Sequence, residues 1–411
     1  MSTKTKGRCN MNLKDTLTST TLKIGYIGIG NAGSQIGVNL SRNGIETVLV
    51  NTSTKDLDSS IISDDIKCYL LGDENETARG AGHSRDNAKK IYLKMTDKLI
   101  KDGIFIDFVN NNDVTVIGCS TAGGTGSGIT PTLTYQLKQQ FPNKIFIILA
   151  VLPRLTEFPN AHLNTSTFVD EVNNMSKNGI DLTYMMYDLE RFKDYGSDEA
   201  YKMLSDDIVK AFSIMRGDMS YITAHGMIDE RDMLTILSQP GLINVYYKTD
   251  IDLNNVPDGG VQKILTNQIK KSPCVTIQKD HLVKWFGIFL LLPEDITDDV
   301  RRNDFTTLKE AIGEPLDAFV NHAVTDKPKG EIAVIASGLT LPFDRIDASL
   351  DIAKRYASNV KSKEFDIHGE LDGIKAVAKN NSADMIMNSK KRITAEDIKD
   401  VTLPSFLDPD F

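Results

Sequence analysis

Two glycine-rich segments carry the residue types best suited to binding phosphate. The first, Gly28-Ile29-Gly30-Asn31-Ala32-Gly33, directly follows an apolar run and has the pattern GxGxxG. Between a strand and a helix, such glycines let backbone N–H groups approach a phosphate at the helix N-terminus. A dinucleotide site also needs an Asp or Glu about 20 residues further on for the ribose. The next apolar run ends in Asn51-Thr52-Ser53 instead, so an NAD-dependent oxidoreductase is only the alternative interpretation of this loop.

The second segment, Ala122-Gly123-Gly124-Thr125-Gly126-Ser127-Gly128, follows the apolar run Val114–Gly118. Its backbone N–H groups and two hydroxyls can form a concave anion site at the start of a helix, whose dipole favours negative charge. No Lys follows the last glycine, which excludes a Walker loop. Two phosphate-binding loops at neighbouring strand ends favour a mononucleotide triphosphate over a dinucleotide.

The elements that must position these loops alternate between apolar runs and helical stretches. Continuous apolar runs of strand length indicate parallel strands that helices cover on both faces. The alternation predicts an α/β fold with a doubly wound, mostly parallel sheet, in which ligands bind beyond the carboxyl ends of the strands. The predicted strands are Leu22–Gly28, Thr47–Asn51, Val114–Gly118, Ile145–Leu152 and Leu182–Tyr187, and the predicted helices are Ser34–Arg42, Arg85–Ile100, Ser127–Gln140 and Leu163–Lys177.

The pattern changes after a long predicted helix, Glu199–Met215. Beyond the break at Gln239-Pro240-Gly241 and a polar loop at Asp250–Gly260, the sequence predicts a second, smaller α+β domain. Its predicted strands are Pro273–Gln278, Lys284–Leu292 and Glu331–Ser337, with a helix across Asp304–Val324.

The composition is that of an ordinary globular protein. The chain has 411 residues and a formal net charge of −9 at pH 7, and at about 100–200 residues per domain this length suggests two or three domains. Strong direct nucleic-acid binding is not expected, because it depends on an excess of Lys and Arg. The longest apolar runs fall far short of the roughly 20 residues of a membrane helix. We therefore expect a cytoplasmic protein without membrane insertion, and the spacing of Cys and His predicts no metal site.

Four segments resemble motifs of the tubulin/FtsZ superfamily of GTPases. Gly123–Gly128 resembles the signature GGGTG(S/T)G, with Ala122 in place of its first glycine. Gly30–Gly37 is similar to the GQAGNQIG of tubulin, Gln139–Pro142 resembles the end of tubulin's next helix, and Gly241–Val245 is similar to the GLINV of FtsZ. The resemblance spans roughly residues 20–340 and is closest in character to the TubZ-like segregation tubulins of plasmids and phages.

The resemblance implies a division of the chain into five parts. These are an N-terminal extension (1–19), a GTP-binding domain (20–197), a central helix (198–217), a C-terminal activation domain (218–360), and a C-terminal helix with a tail (361–411).

The resemblance also implies that GTP and Mg²⁺ bind at the glycine-rich loops, with Mg²⁺ held largely by phosphate oxygens and water. The loop around Gly82 is expected to sense the γ-phosphate, where Arg79, His83 or Arg85 could add positive charge. The implied nucleotide-binding set is Gly30, Asn31, Ala32, Gly33, Gln35, Asn51, Gly82, Gly123, Gly124, Thr125, Gly126, Ser127 and Gly128.

Three further carboxylates are implied at the nucleoside end. Glu157 stands where the family uses an acid on the ribose hydroxyls, although the Glu-Gly-x-x-Arg run of FtsZ is absent. Asp206, with Asp207 as its rival, matches the position that faces the base, and Asp188 is a second candidate. A carboxylate that accepts hydrogen bonds from both N1–H and the N2 amino group selects guanine over adenine.

In this family, hydrolysis needs acids that the next subunit supplies from the loop after its long helix. With Asn244 as the loop's Asn, the two expected Asp positions are Tyr246 and Thr249. A one-residue bulge could bring Asp250 into place, so Asn244 and Asp250 are the predicted catalytic residues. The alternative catalytic acid is Glu230 or Asp232. A further alternative is that the protein binds GTP and assembles but hydrolyses GTP slowly.

The implied function is a filament-forming GTPase that assembles head to tail with itself and segregates plasmid or phage DNA through an adaptor. An FtsZ-like cell-division protein is the alternative within the family. The segment Asp400–Leu407 resembles the C-terminal peptide with which FtsZ recruits partners, and the basic cluster Lys390–Arg392 precedes it. A DNA-binding adaptor is therefore expected to dock on this tail.

Overall fold

A single ten-stranded sheet forms the centre of the molecule, in the order β3-β2-β1-β4-β5-β6-β7-β10-β8-β9. The computed structural model describes residues 22–57, 62–63, 66–101, 103–217, 228–256, 260–275, 282–293, 296, 305–324 and 328–362. The strands are β1 (Ile24–Ile29), β2 (Thr47–Asn51), β3 (Lys67–Leu70), β4 (Val114–Ser120), β5 (Ile145–Leu152), β6 (Thr183–Asp188), β7 (Gly241–Asp252), β8 (Val283–Leu292), β9 (Pro315–Val324) and β10 (Lys329–Leu339).

Helices cover both faces of this sheet. The described α-helices are α1 (Gly30–Arg42), α2 (Glu74–Arg79), α3 (Arg85–Lys101), α4 (Ile104–Asn111), α5 (Thr125–Gln140), α6 (Pro159–Lys177), α7 (Ser197–Arg216), α8 (Glu230–Leu237), α9 (Gly260–Lys271), α10 (Thr306–Ile312) and α11 (Phe343–Ser362).

The first six strands are parallel, and the α/β fold class is confirmed. Strand β1 pairs in parallel with β2 and β4, and β5 pairs in parallel with β4 and β6. Every residue of β1 and β6 is buried, as expected for strands with helices on both faces. Because these strands are parallel, their carboxyl ends and the loops that follow them lie at one edge of the sheet.

The sheet runs without a break from the predicted GTP-binding domain into the predicted activation domain. Strand β7 begins beside β6 in parallel, with Thr183 opposite Gly241 and Tyr184 opposite Leu242. It then pairs along its length with the antiparallel strand β10. The division of the chain into the five predicted parts remains a prediction.

The predicted helix across Asp304–Val324 is wrong in its second half. Helix α10 ends at Ile312, and Pro315–Val324 forms β9, parallel to β8 at the edge of the sheet. Gly313 has φ 129, and Pro315 lacks the N–H that another helical turn needs. Of the predicted strand Pro273–Gln278, Cys274 forms an isolated bridge with Tyr187, and residues 276–278 lie outside the described part.

The central helix α7 is tied to β7 by the partly buried carboxylate of Asp207. The Tyr247 hydroxyl donates a hydrogen bond of 2.9 Å to Asp207 Oδ1, whereas Asp207 Oδ2 has no hydrogen-bond partner. Burial raises the pKa of Asp207 to about 6, and the bond from Tyr247 opposes the shift. Asp207 therefore takes up a proton in the folded protein at a pH where an exposed Asp stays ionised.

We predict that this group lowers the stability of the fold as the pH rises. Because the pKa of Asp207 is higher in the folded than in the unfolded chain, the folded state binds more protons between about pH 4 and pH 6. The free energy of unfolding should fall across this interval, by up to about 3 kcal/mol. Asp207→Asn should remove that dependence, which urea unfolding at pH 4.5 and 7.5 measures.

Asp351→Asn on α11 is the matched control, because Asp351 is exposed. This variant should keep the pH dependence of the wild type. An Asp207→Asn protein whose stability follows the wild type at both pH values would contradict the prediction.

Candidate functional site

The two glycine-rich loops lie against each other at the carboxyl edge of the sheet. Gly30 begins α1 with φ 73, and a Cβ on it would lie 3.0 Å from the backbone nitrogen of Gly126. A Cβ on Gly126 would in turn lie 2.9 Å from the carbonyl oxygen of Ile29. The backbones are therefore closer than any side chain allows, which brings the N-termini of α1 and α5 together.

Both helix N-termini suit an anion. Neither α1 nor α5 has an acidic residue in its first turn, so nothing there offsets the positive end of the helix dipole. A Cβ added to Gly123 would meet no atom within 4 Å, which leaves open space above the second loop. We call the space between the loops Gly28–Gly33 and Ala122–Gly128 the cradle. The Thr52 and Thr125 hydroxyls are 2.7 Å apart, so the end of β2 also reaches the cradle.

Asn51 shapes the turn after β2. Its Oδ1 accepts hydrogen bonds from the backbone nitrogens of Thr52 and Ser53, at 2.8 and 3.3 Å. Asn51 is fully buried, and its Nδ2 has no hydrogen-bond partner in the described structure. An unpaired buried donor beside two anion-attracting helix ends fits a site that takes an oxygen-rich ligand.

A third loop, 81–84, closes the cradle on the side of α3. A Cβ on Gly124 would lie 2.7 Å from the backbone of His83 and Ser84. Asn164 Nδ2 joins the two loops by donating to the carbonyl oxygens of His83 at 3.2 Å and Ala122 at 2.8 Å. Gly82 has φ 60 and open space around its Cα, so it lies at the unobstructed part of this loop.

The structure contradicts a phosphate-sensing role for Arg85. Its side chain is 8% exposed and forms an ion pair of 2.6 Å with Glu171. It also donates to the carbonyl oxygen of Ser127 at 2.6 Å, so it holds the backbone of the second glycine loop in place. The placement of the Arg79 side chain lies outside the description, and His83 contributes its carbonyl oxygen to Asn164.

Glu157 lies on the loop that follows β5, next to the second glycine loop. Its Oε1 accepts a hydrogen bond of 2.9 Å from the Arg154 nitrogen. Burial raises the pKa of Glu157, and Arg154 opposes the shift.

Tyr201 on α7 is electrostatically coupled to Glu157, and no motif in the sequence predicted this residue as part of the site. Burial raises the pKa of Tyr201 to about 12, opposed by a hydrogen bond with Ser120, and the Glu157 charge adds to the rise.

A polar face of α1 connects the cradle with Asp206. Gln35 Nε2 donates to Asn31 Oδ1 at 3.3 Å, and one turn further Asn39 Nδ2 donates to Asp206 Oδ1 at 3.0 Å and to Ser205. Asn31, Gln35 and Asn39 are four residues apart, so they share one side of the helix. The structure thus brings Asp206 to the groove between α1 and α7.

Asp188 is not available to a base edge. Its two oxygens accept from Arg345 Nε and Nη2 at 2.7 and 2.8 Å, and Oδ1 also accepts from the Glu190 nitrogen. The pair is largely buried, with 12% and 9% of the two side chains exposed. The position of Asp188 at the end of β6 suggested a ligand-facing carboxylate. Instead, this carboxylate pairs with Arg345, which is 157 residues away in the chain.

The segment that was expected to be the catalytic loop is a strand. Asn244 is fully buried inside β7, where its Nδ2 donates to the Tyr246 hydroxyl at 2.8 Å and to the Val275 carbonyl oxygen. It therefore cannot reach a neighbouring molecule. Asp250 is exposed near the end of β7, with φ 55, and forms an ion pair of 2.9 Å with Lys329.

The acids that follow α7 most closely in the described structure lie at the start of α8. Asp229 and Asp232 form a capping box, in which each side chain accepts from the other's backbone nitrogen. Glu230 lies between them and is exposed. An Asp-x-x-Asp spacing before an apolar helical face indicates this cap, and Glu230 and Asp232 are the alternative acids already expected from the sequence.

Within the described ranges, no group of three or more His, Cys, Asp and Glu side chains is arranged to hold a metal ion. None of the helices in the same ranges combines the length and the apolar character needed to span a bilayer.

Comparisons with known proteins agree with this geometry. Residues 23–186 match the family model "Tubulin/FtsZ family, GTPase domain". The chain is 26% identical over 255 residues to the tubulin-like protein TubZ of Clostridium botulinum C phage, covering 61% of this chain and 64% of that protein. It is 24% identical over 220 residues to the tubulin-like protein CetZ of Pyrococcus abyssi, covering 52% and 58%. The chain thus spans less than two thirds of the length of either curated relative.

Solved structures show the same fold. The crystal structure of Clostridium botulinum phage c-st TubZ superposes with a TM-score of 0.65 at 20% identity, over 82% of this chain and 99% of that one. A GTPγS-form protofilament of Bacillus thuringiensis serovar israelensis TubZ gives 0.68 at 16% identity, over 83% and 94%. The expected resemblance to the tubulin/FtsZ superfamily is confirmed: the match to the family's GTPase domain spans residues 23–186, the part of the chain that carries both glycine-rich loops.

Proposed function

We propose that the chain binds GTP in the cradle of the two glycine-rich loops, assembles head to tail, and hydrolyses GTP at the junction between subunits. The observation that carries the proposal is the contact between Gly30 and Gly126. It joins two helix N-termini that lack acidic residues, which is the arrangement a chain of phosphates needs.

In this proposal, backbone N–H groups of both loops bind the phosphate oxygens. Ser127 Oγ donates to the Gly123 carbonyl oxygen, so this hydroxyl shapes the loop, whereas Thr52 and Thr125 bring hydroxyls to the cradle. Mg²⁺ would be held by phosphate oxygens and water, because this ion usually keeps several of its water ligands. It would neutralise the negative charge that develops on the phosphates during hydrolysis.

The nucleoside would extend along the polar face of α1. Asp206 is the residue we propose for the base edge, since its carboxylate lies beside Asn39 in the groove between α1 and α7. Glu157 is the residue we propose for the ribose hydroxyls. Guanine offers the Asp206 carboxylate two hydrogen-bond donors, and the ribose offers its hydroxyls to Glu157. This pair of carboxylates therefore favours guanosine.

The acids for hydrolysis would come from the opposite edge of the next subunit. Helix α7 is 20 residues long, which at 1.5 Å per residue is about 30 Å. Its last residue, Arg216, lines a cavity with Asn43 and Ile45 just past the end of α1. The chain returns from α8 to the beginning of β6, where the Gln239 carbonyl oxygen accepts from Thr183. A head-to-tail contact between these two edges is heterologous and does not close, so it generates filaments.

We propose that Asp229, Glu230 or Asp232 polarises the attacking water, and Asp250 is the alternative that the sequence favoured. The α8 acids follow directly on the segment after the long helix, whereas Asp250 is exposed and already paired with Lys329. Protofilaments have been described for the TubZ of Bacillus thuringiensis and the CetZ2 of Haloferax volcanii, which supports self-association.

Segregation of plasmid or phage DNA through an adaptor is the cellular role we propose. The similarity to a phage-encoded TubZ favours it over the alternative of an FtsZ-like division protein. The tail segment Asp400–Leu407, on which an adaptor would dock, lies outside the described residues. An NAD-dependent oxidoreductase is the alternative from another class, and the packing of the second loop on the first disfavours it.

The cradle is tested by filling its open space. Gly123→Val should leave the fold intact, because a Cβ there meets no atom, yet its side chain would take the place of phosphate oxygens. We expect at least a tenfold loss of GTP affinity, about 1.4 kcal/mol or more, measured by titration and by the nucleotide retained on purification.

Gly196→Val is the matched control, since Gly196 also faces open space and precedes α7 at an exposed position. It should bind GTP as the wild type does. Unchanged affinity in Gly123→Val, or NAD retained by the wild type, would overturn the proposed site.

The source of the catalytic acid is tested by isosteric substitutions. Asp229→Asn, Glu230→Gln and Asp232→Asn keep the groups that cap α8, so the helix should remain. At least one of them should lower GTP turnover in polymers by about 10²–10⁴-fold, the usual range for loss of a general base. GTP affinity of the monomer should not change, because these residues act on the neighbouring subunit.

Asp250→Asn is the comparison variant, assayed by phosphate release alongside pelleting. Normal turnover in all three α8 variants together with a loss in Asp250→Asn would reverse the assignment. Polymers of the wild type that release no phosphate would show that the chain assembles without hydrolysis.

A further inference from the structure

The loop that carries Glu157 is held in place by side chains from distant elements. We call residues 153–158, which follow β5, the acid loop. Arg345 in the first turn of α11 donates through Nη2 to the carbonyl oxygen of Pro153 at the start of this loop. The same guanidinium forms the two-pronged ion pair with Asp188 at the end of β6. Arg345 thus clamps the ends of two neighbouring strands.

A second path runs from the ion pair back to the acid loop. Asp188 Oδ1 accepts from the Glu190 nitrogen at 3.0 Å, and Glu190 Oε2 accepts from the Leu155 nitrogen at 2.9 Å. The residue before Leu155, Arg154, donates to the carbonyl oxygens of Phe192 and Tyr195 at 3.0 and 2.9 Å. Its own backbone nitrogen donates to Glu157 Oε1. The position of the Glu157 carboxylate therefore depends on contacts that converge on Arg345.

We propose that Arg345 is a positioning residue for recognition of the ribose. It sets the acid loop so that Glu157 faces the sugar hydroxyls of the bound nucleotide. This inference rests on the proposed GTP site and makes a residue of helix α11 part of its specificity.

The guanidinium is suited to this task in a way that Lys is not. Arg presents fixed donors that bind a carboxylate in two-pronged fashion and still reach a carbonyl oxygen, whereas an ammonium group is a point charge. Arg345 Nη1 is also held by Ser349 at 2.9 Å, so the side chain is fixed from its own helix. Loss of the guanidinium would leave Asp188 buried without its partner and the Pro153 carbonyl oxygen without its donor.

Through Arg345, the proposal also couples helix α11 to the nucleotide site. Helix α11 packs against α6 and leads into the segment 363–411. If Arg345 orders the acid loop, then bound GTP and docked α11 must stabilise each other, because coupling between two sites is reciprocal.

The test compares GTP with 2′,3′-dideoxy-GTP, which lacks the sugar hydroxyls. The wild type should prefer GTP. Glu157→Gln and Arg345→Met should each weaken GTP binding by about tenfold while changing dideoxy-GTP binding less than twofold, so the preference disappears. The double variant should lose little more than either single one, since the two residues act on one contact. Arg345→Lys should fall between Arg345→Met and the wild type.

Arg355→Met further along α11 is the control, because Arg355 is exposed, and it should keep the wild-type preference. If Arg345→Met weakens both nucleotides equally, or neither, Arg345 is merely structural and the inference is overturned. Thermal unfolding of each variant shows whether the fold survives. Failure of the wild type to bind GTP at all would instead overturn the proposed function.

Discussion

The close approach of two backbone segments at Gly30 and Gly126 is the constraint on which the rest of this structure depends. A side chain at either position would lie 3.0 Å or less from the other segment's backbone, so only glycine permits the contact. The contact fixes where α1 and α5 begin, and with them the directions in which their N-termini point. Loop 81–84 then packs on Gly124, and Arg85 holds the backbone of the second loop in place. Most of the residues around the cradle act by holding backbone rather than by reaching for a ligand.

The continuous sheet and the central helix extend this local constraint across the molecule. Strands β6 and β7 join the two halves of the chain in one sheet, and Asp207 ties α7 to β7 through Tyr247. Helix α7 follows β6 at the edge that carries the glycine loops, and the chain after α8 returns to the beginning of β6 at the opposite edge. In the proposed function, the first edge binds the nucleotide and the opposite edge completes the site of the next subunit.

Much of the fold could be predicted from the sequence because local signals agree with the final packing. The apolar runs that became β1, β2, β4, β5 and β6 have strand length and lie between helices with ordinary amphipathic patterns. The helix that was predicted through Pro315 shows the limit of periodicity, since Gly313 and Pro315 end it and the pairing with β8 makes the rest a strand. Short apolar stretches at a sheet edge carry little information about which element they form.

The candidate site was predictable where glycine spacing determined it and not where long-range pairing did. The sequence suggested that Asp188 faces a ligand, but its carboxylate is paired with Arg345, which is 157 residues away in the chain. The GLINV similarity placed Asn244 in a loop, but the segment lies in β7, because a motif with one Asn among Gly, Leu, Ile and Val fits a strand equally well. Glu230 and Asp232 were the expected alternatives to Asp250, and the Asp-x-x-Asp spacing also indicates the cap that Asp229 and Asp232 form.

The most direct test is an electron cryomicroscopy map of filaments grown with a slowly hydrolysed GTP analogue. A guanine nucleotide should lie between the glycine-rich loops of one subunit and the start of α8 in the next, with its base beside Asp206 and its ribose beside Glu157. Filaments whose junctions hold no nucleotide, or a nucleotide located away from Gly30 and Gly126, would contradict the proposed function.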